Sequence, residues 1–367
     1  MASSAGGTAA DATLEEAKKE VKLAEYTPPT HLIDSVTLDC DLRAPDDARI
    51  RATQRVRVRD ASNPASRLEL DGSPDIELLE LSVDGQPHSQ HQRTPLNGLA
   101  LDALPTDRPF ELQTLVKINP KANLALEGLY ISDGNFTTQM EAQGFRNTTF
   151  HLDRPDVLST WTVTVRADKQ SCPVLLSNGN LISSKDCGDG RHEATYEDPI
   201  PKPCYLFALV AGDLAETRDR FTRASGPDVD IRVFTEHADK HKVDWHIECL
   251  KNAMRWDEQV YGNEYDLDEY KTVCVNSFQA GAMENKGLVI FNSKRALATP
   301  ETATDGEFSS IEGVVAHEYF HVRELQCSYP ESSLIVSNAS NALSFLPFCL
   351  FNNVLRPCRR GPVRRSM

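Results

Sequence analysis

The sequence predicts an α+β protein built from more than one domain, and three observations carry that prediction. Between residues 29 and 218, apolar and polar residues alternate in short runs broken by Asp-Gly and Asn-Gly turns, the pattern of a β-rich unit. After about residue 218 apolar residues recur at helical spacing between further strand-like runs, which sets off a second, mixed unit over 219–321. That unit ends in Val315-Ala316-His317-Glu318-Tyr319-Phe320-His321, an H-E-x-x-H pattern.

Length and composition bound the reading. At 367 residues the chain has room for two or three domains. With 40% hydrophobic and 25% charged residues it matches ordinary soluble globular proteins. A net charge of -15 argues against a nucleic-acid partner and for small or peptide ligands. The nine cysteines are spread singly, without C-x-x-C, which fits reduced thiols in a reducing compartment. The N-terminus has neither the basic and apolar regions of a secretory leader nor early arginines, since the first is Arg43. No apolar run approaches the ~18 residues of a membrane span. Cytoplasm is the expected location; the oligomeric state is left open.

Residues 1–28 read as a flexible arm. Thr13-Leu14-Glu15-Glu16 fits a capping box for a short helix ending near Tyr26, and a frayed tail fits equally. In the β-rich unit, 31–42 alternates over its second half. Over 49–59, Ile50, Ala52, Val56 and Val58 oppose Arg51, Arg55, Arg57 and Arg59. Further strands are predicted at 76–83, 112–118, 159–165, 174–176 and 204–210. In the second unit, Val243, Ile247, Leu250 and Met254 predict a helix over 241–260, and strands follow at 272–275 and 288–291. Ser309-Ser310-Ile311-Glu312 predicts a capping box that starts the last helix, with Ile311, Val314 and Val315 as its buried stripe.

On a helix, residues four apart share a face, so His317 and His321 can aim two imidazoles at one zinc ion. Glu318 leans over the same region, where it can take a proton from water. The bland alternative is a helix with two exposed or core histidines. Upstream, Gly281-Ala282-Met283-Glu284-Asn285 lies between two strand-like runs. It reads either as a turn with a solvated carboxylate or as a recognition loop. In the second case its Glu meets the α-ammonium of a peptide, and its backbone pairs with the extended peptide.

Together these two motifs resemble the aminopeptidase N family of zinc metallopeptidases, the gluzincins. Leu126-Glu127-Gly128-Leu129-Tyr130, Gly144-Phe145-Arg146, Leu152-Asp153-Arg154-Pro155-Asp156, Leu176-Ser177-Asn178-Gly179-Asn180 and the run from Pro201 to Asp213 are similar to its bacterial-type alanyl branch. The likeness runs from about residue 31 to His321. It implies a saddle-like N-terminal β domain over 29–218 and a thermolysin-like catalytic domain over 219–321. It implies one Zn2+ held by His317 and His321, with Glu318 as general base. It implies substrate binding by Gln139 and Glu141 from the β domain and by Gly281, Ala282, Met283, Glu284 and Asn285. The partners implied are peptides with a free N-terminus, with no nucleic acid and no membrane.

The chain departs from the family after His321. The third zinc ligand falls 19 positions later, where this sequence has Ser340. No tyrosine stands where the family's catalytic tyrosine is expected, Tyr329 being too early. Residues 322–367 carry six Arg, no Lys, two Glu and no Asp, net +4, which leaves -19 for residues 1–321. That tail reads as unrelated, and the catalytic domain as incomplete. Glu324, Cys327 and Glu331 are weak substitutes, because a tetrahedral site wants its third ligand from another element. The expectation is a zinc aminopeptidase by family that is inactive or weak in this chain. The alternatives are a thermolysin-type endopeptidase, the epoxide hydrolase–aminopeptidase branch, a non-catalytic peptide-binding fragment, and an aberrant or truncated isoform.

Overall fold

The alternation read in the sequence becomes an eight-stranded sheet. In strand Asp47–Val58, Ile50, Ala52 and Val56 point inward and are fully buried. Gln54 takes an inward slot that an apolar residue would normally fill. It is satisfied there, donating to the Phe150 carbonyl at 3.0 Å and meeting His151 Nδ1 at 2.8 Å. Strand His31–Ala44 changes phase at a bulge between Ile33 and Ser35, which is why its first half does not alternate cleanly. The sheet runs in the order Asn180–Asp186, Arg191–Lys202, Ser159–Asp168, His31–Ala44, Asp47–Val58, Phe110–Ile118, Glu77–Val83, Gln86–Pro87.

This computed structural model describes residues 23–327. The capping box at Thr13, most of the N-terminal arm, and the tail with Tyr329, Glu331 and Ser340 lie outside the described residues, as do the side chains of Glu324 and Cys327.

Two smaller sheets complete the β-rich part. One pairs Leu68–Leu70, Leu99–Leu101 and His91–Arg93. The other, called the small sheet below, runs Val174–Ser177, Leu209–Gly212, Asn135–Gln139, Gly128–Ser132. The strand expected over 204–210 is instead a short 3-10 turn, Cys204–Leu206, followed by strand Leu209–Gly212. Pro203, which cannot donate to a ladder, stands at the start of the turn where strand Arg191–Lys202 has ended.

The second unit is a five-stranded mixed sheet with two helices. Its order is Ala215–Thr222, Asp228–Thr235, Glu269–Val275, Leu288–Asn292, Ala282–Met283. The boundary expected at residue 218 therefore falls inside strand Ala215–Thr222. Helix α1, Asp244–Tyr261, buries Ile247, Leu250 and Met254 as its spacing predicts. It ends on Gly262, whose φ of 68° is the left-handed conformation that glycine adopts without cost. Helix α2, Asp305–Cys327, starts one turn before the predicted cap. Thr304 and Glu307 form the capping box: the Glu307 carboxylate accepts from the Thr304 N–H at 2.7 Å, and the Glu307 N–H donates to Thr304 Oγ1 at 3.3 Å. Ser309 lies inside the helix, because the Thr304 box captures the N-terminus first.

The two units share a core. Leu176, Leu206, Ala208, Val210 and Leu214 from the β-rich side pack with Val273, Phe278, Met283, Leu288 and Ile290 from the other. Among the described residues, Cys40, Cys172, Cys187, Cys204, Cys249 and Cys274 are free thiols. No helix of the described residues is long and apolar enough to cross a membrane.

Candidate active site

Helix α2 delivers the first three residues. Its Ile311, Val315 and Ala316 are buried against α1 and the second sheet. Tyr319 packs near Tyr265 and Tyr270, with ring centroids 6.4 and 6.2 Å away. This seating turns the opposite side, with His317, outward, while Glu318 is left 6% exposed. The helical repeat brings His317 Nε2 and His321 Nε2 to 3.0 Å from each other.

Strand Asn135–Gln139 of the small sheet delivers Gln139 and Glu141. Gln139 is buried, and Glu141, just past the strand end, is half-buried. The Glu141–Ala142 peptide is cis. Residues 281–285 lie along the second sheet: Ala282 pairs with Phe291 and Met283 with Ile290. Among the described residues strand Ala282–Met283 is an edge of that sheet, the position at which an added strand could pair. Met283 is fully buried in the shared core, and a Cβ on Gly281 would touch only Arg295 Cγ, at 3.8 Å.

Electrostatics tie these pieces into one place. Burial pushes the Glu318 carboxyl up to about 8; Glu284 and Glu141 add repulsion, and His321 opposes them. Glu141 is raised by burial and then by Glu284, with His321 again opposing. The three carboxylates and His321 are thus within electrostatic reach of one another. Three buried acceptors of the predicted set, Gln139 Oε1, Asn285 Oδ1 and Glu318 Oε2, have no hydrogen-bond partner among the described residues. An unpaired buried acceptor costs about 1–3 kcal/mol, and a donor-rich ligand relieves it. An ammonium carries three donors and no acceptor.

Of the ten residues singled out in the sequence, Glu141, Glu284, Glu318 and His321 thus lie within electrostatic reach of one another and His321 meets His317, whereas Met283 is buried in the shared core. Sequence reasoning gave no role to Asn178, Lys271 or Lys286, whose side chains hydrogen-bond to the Lys286 carbonyl, the Gly179 carbonyl and Asp266 respectively. Their signal was weak: an ordinary Asn-Gly turn and lysines with no visible reason to be buried.

Family models match in the same two places. A "Peptidase M1 N-terminal domain" model covers residues 106–206, and a "Peptidase family M1 domain" model covers residues 245–322. Aminopeptidase N of Escherichia coli is 43% identical over 297 residues, which is 81% of this chain and 33% of that protein. Aminopeptidase N of Caulobacter vibrioides is 44% identical over 301 residues, 82% of this chain and 34% of that one. The chain belongs to the aminopeptidase N family. A solved structure, Legionella pneumophila aminopeptidase A in complex with aspartic acid, superposes with a TM-score of 0.77 at 32% identity. It covers 82% of this chain, and this chain covers 35% of it. The chain spans about a third of the length of the curated relatives it matches.

The residues present fit part of a zinc site. Two nitrogens 3.0 Å apart can both reach one ion through bonds of about 2.0–2.1 Å. Among the described residues, no group of three His, Cys, Asp or Glu side chains gathers to hold a metal.

Proposed function

We propose that this chain carries the recognition half of a zinc-dependent aminopeptidase and that its own hydrolytic activity is absent or weak. The observation that carries the reading is the set of unpartnered buried acceptors beside the Glu141, Glu284 and Glu318 carboxylates. That surroundings-wide excess of acceptors suits a free peptide N-terminus and repels its carboxylate end. Glu284 and Glu141 hold the ammonium, and Gln139 accepts a further N–H. The edge at Ala282 and Met283 pairs with the peptide backbone. Asn285 fixes the turn, donating from Nδ2 to the Met283 carbonyl at 3.4 Å.

His317 and His321 are the residues that would hold zinc. Bound there, zinc would supply Lewis acidity toward the scissile carbonyl and toward water. Glu318 is the residue that would take a proton from the attacking water and return it to the leaving amine, a base role open to its ionised form, which a carboxyl pushed up to about 8 reaches only as pH rises. The weakness is the third ligand. The family resemblance puts it at Ser340, and a neutral hydroxyl is a poor substitute for a carboxylate. Cytoplasm is the proposed compartment, which suits the free thiols.

Zinc content and hydrolysis of an alanyl-anilide by the purified chain test this reading. The expected result is less than one zinc per chain and no turnover. One zinc per chain, with turnover abolished by Glu318→Gln, would contradict the proposed inactivity. A second reading, a non-catalytic peptide-binding fragment, is favoured by the place of Gln139 at the end of one strand and of Glu141 and Glu284 just past strand ends. Blocking the substrate amine separates both from an endopeptidase, which would tolerate the block.

A further inference from the structure

Gln139 and Glu141 sit on one unit and Glu284 on the other, so the pair can grip one ammonium only if something fixes the distance between them. The small sheet reaches both. Its strand Asn135–Gln139 runs into Glu141, and its strand Val174–Ser177 runs into the turn Asn178-Gly179. Asn178 is 1% exposed, and its whole side chain is committed. Nδ2 donates to the Leu206 carbonyl at 2.9 Å, within the β-rich part, and to the Lys286 carbonyl at 2.7 Å, the second residue after Glu284. Oδ1 accepts from the Ala208 N–H at 2.7 Å.

The neighbouring residue is gripped as well. The buried Lys271 ammonium donates to the Gly179 carbonyl at 2.6 Å. Gly179 has φ +78°, and a Cβ there would run into the Glu197 carbonyl. Across the seam Gly287 has φ +73°, and a Cβ on it would meet Leu267 Cδ1 at 2.9 Å and the Gly179 nitrogen at 3.1 Å. The Gly287 and Gly179 backbones therefore approach each other closely beside the Leu267 side chain. Lys286 is anchored from its other end by Asp266, at 2.6 and 2.7 Å.

We propose that Asn178 is a positioning residue for amine recognition: it seats the 281–287 segment on the small sheet and thereby sets Glu284 against Glu141. The proposal rests on reading Glu141 and Glu284 as the ammonium-binding pair. Asn178 touches no ligand itself. Asn135 supplies the control. It also ties the small sheet across the seam, donating to Glu236 Oε1 at 2.9 Å and accepting from the Asp213 N–H at 3.1 Å. It makes no contact with residues 281–287 in that network.

The test uses the full chain, with alanyl-alanine amide and its N-acetylated twin as probes, together with hydrogen exchange over 281–288. Asn178→Asp keeps the acceptor for Ala208 and loses both donations; Asn178→Ser loses reach. Both are expected to cut the preference for the free amine by about ten-fold, the effect of losing one well-made polar interaction. Both are expected to speed exchange over 281–288. Asn135→Ser is expected to leave both readouts as in the wild type. Gly287→Ala, which pushes the segment off the turn without touching Asn178, is expected to act like the Asn178 variants and serves if those do not fold. Wild-type preference and wild-type exchange in folded Asn178 or Gly287 variants would overturn the proposal. A wild-type chain with no preference for the free amine overturns the amine-binding reading and the proposal with it. The exchange data then still report whether Asn178 seats the segment.

Discussion

The wall that carries Gln139, Glu141 and Glu284 is made of strands tied into both units, whereas the wall that carries His317, Glu318 and His321 is one face of one helix. In the first wall each residue is fixed by tertiary structure. Gln139 ends a strand with partners on both sides, and Met283, next to Glu284, is fully buried in the shared core. In the second wall the helical repeat itself brings two nitrogens to 3.0 Å, and any further ligand has to come from elsewhere. On the proposed function, recognition and chemistry are therefore separable: the sheet-built wall would hold the peptide amine, and the helix-built wall would supply two metal donors and a base.

Breaking the core under the first wall gives the largest expected effect. Met283→Ala removes a fully buried side chain between the two units, and chemical denaturation should show a loss of about 2–5 kcal/mol. If stability is unchanged, the two units do not depend on their shared core. Next come Glu141→Gln and Glu284→Gln, which leave the fold in place and remove charge. Each should weaken binding of a free-amine peptide by about 1.5–3 kcal/mol, roughly ten- to a hundred-fold, while leaving the N-acetylated peptide alone. Titration calorimetry reads this directly, and equal losses for both peptides would break the assignment.

The helix-built wall is tested by smaller changes. Thr304→Ala removes the observed capping box and should cost about 1 kcal/mol, whereas Ser309→Ala, at the position the sequence favoured, should cost less. A reversed order would move the helix start back to Ser309. The smallest effect belongs to the surface of the β-rich unit. Leu96→Ser, at an 87% exposed position, should change stability by no more than about 0.5 kcal/mol.

Much of this was legible in the sequence, for reasons that differ by element. Strand Asp47–Val58 was readable because its inward residues are apolar at period two; the one exception, Gln54, is polar for the sake of a buried network. Helix α1 was readable from its stripe. The start of α2 was misread because two Thr/Ser-x-x-Glu patterns lie close together and only geometry chooses between them. Strands Asn180–Asp186 and Ala215–Thr222 were not singled out. The first is exposed along most of its length and the second alternates weakly, so neither carries an apolar period. At the site, H-E-x-x-H and the 281–285 loop were visible because their chemistry demands particular residue types. Asn178 was not, because what matters in it is the pair of carbonyls it joins, one of them more than a hundred residues away.

The most direct test of the separation between the two walls is titration of the zinc-free full chain with alanyl-alanine amide and its N-acetylated twin. Binding of the free amine at least about ten-fold tighter than the blocked one is the predicted result. Equal affinities, or a preference that arises only after zinc is added, would contradict it.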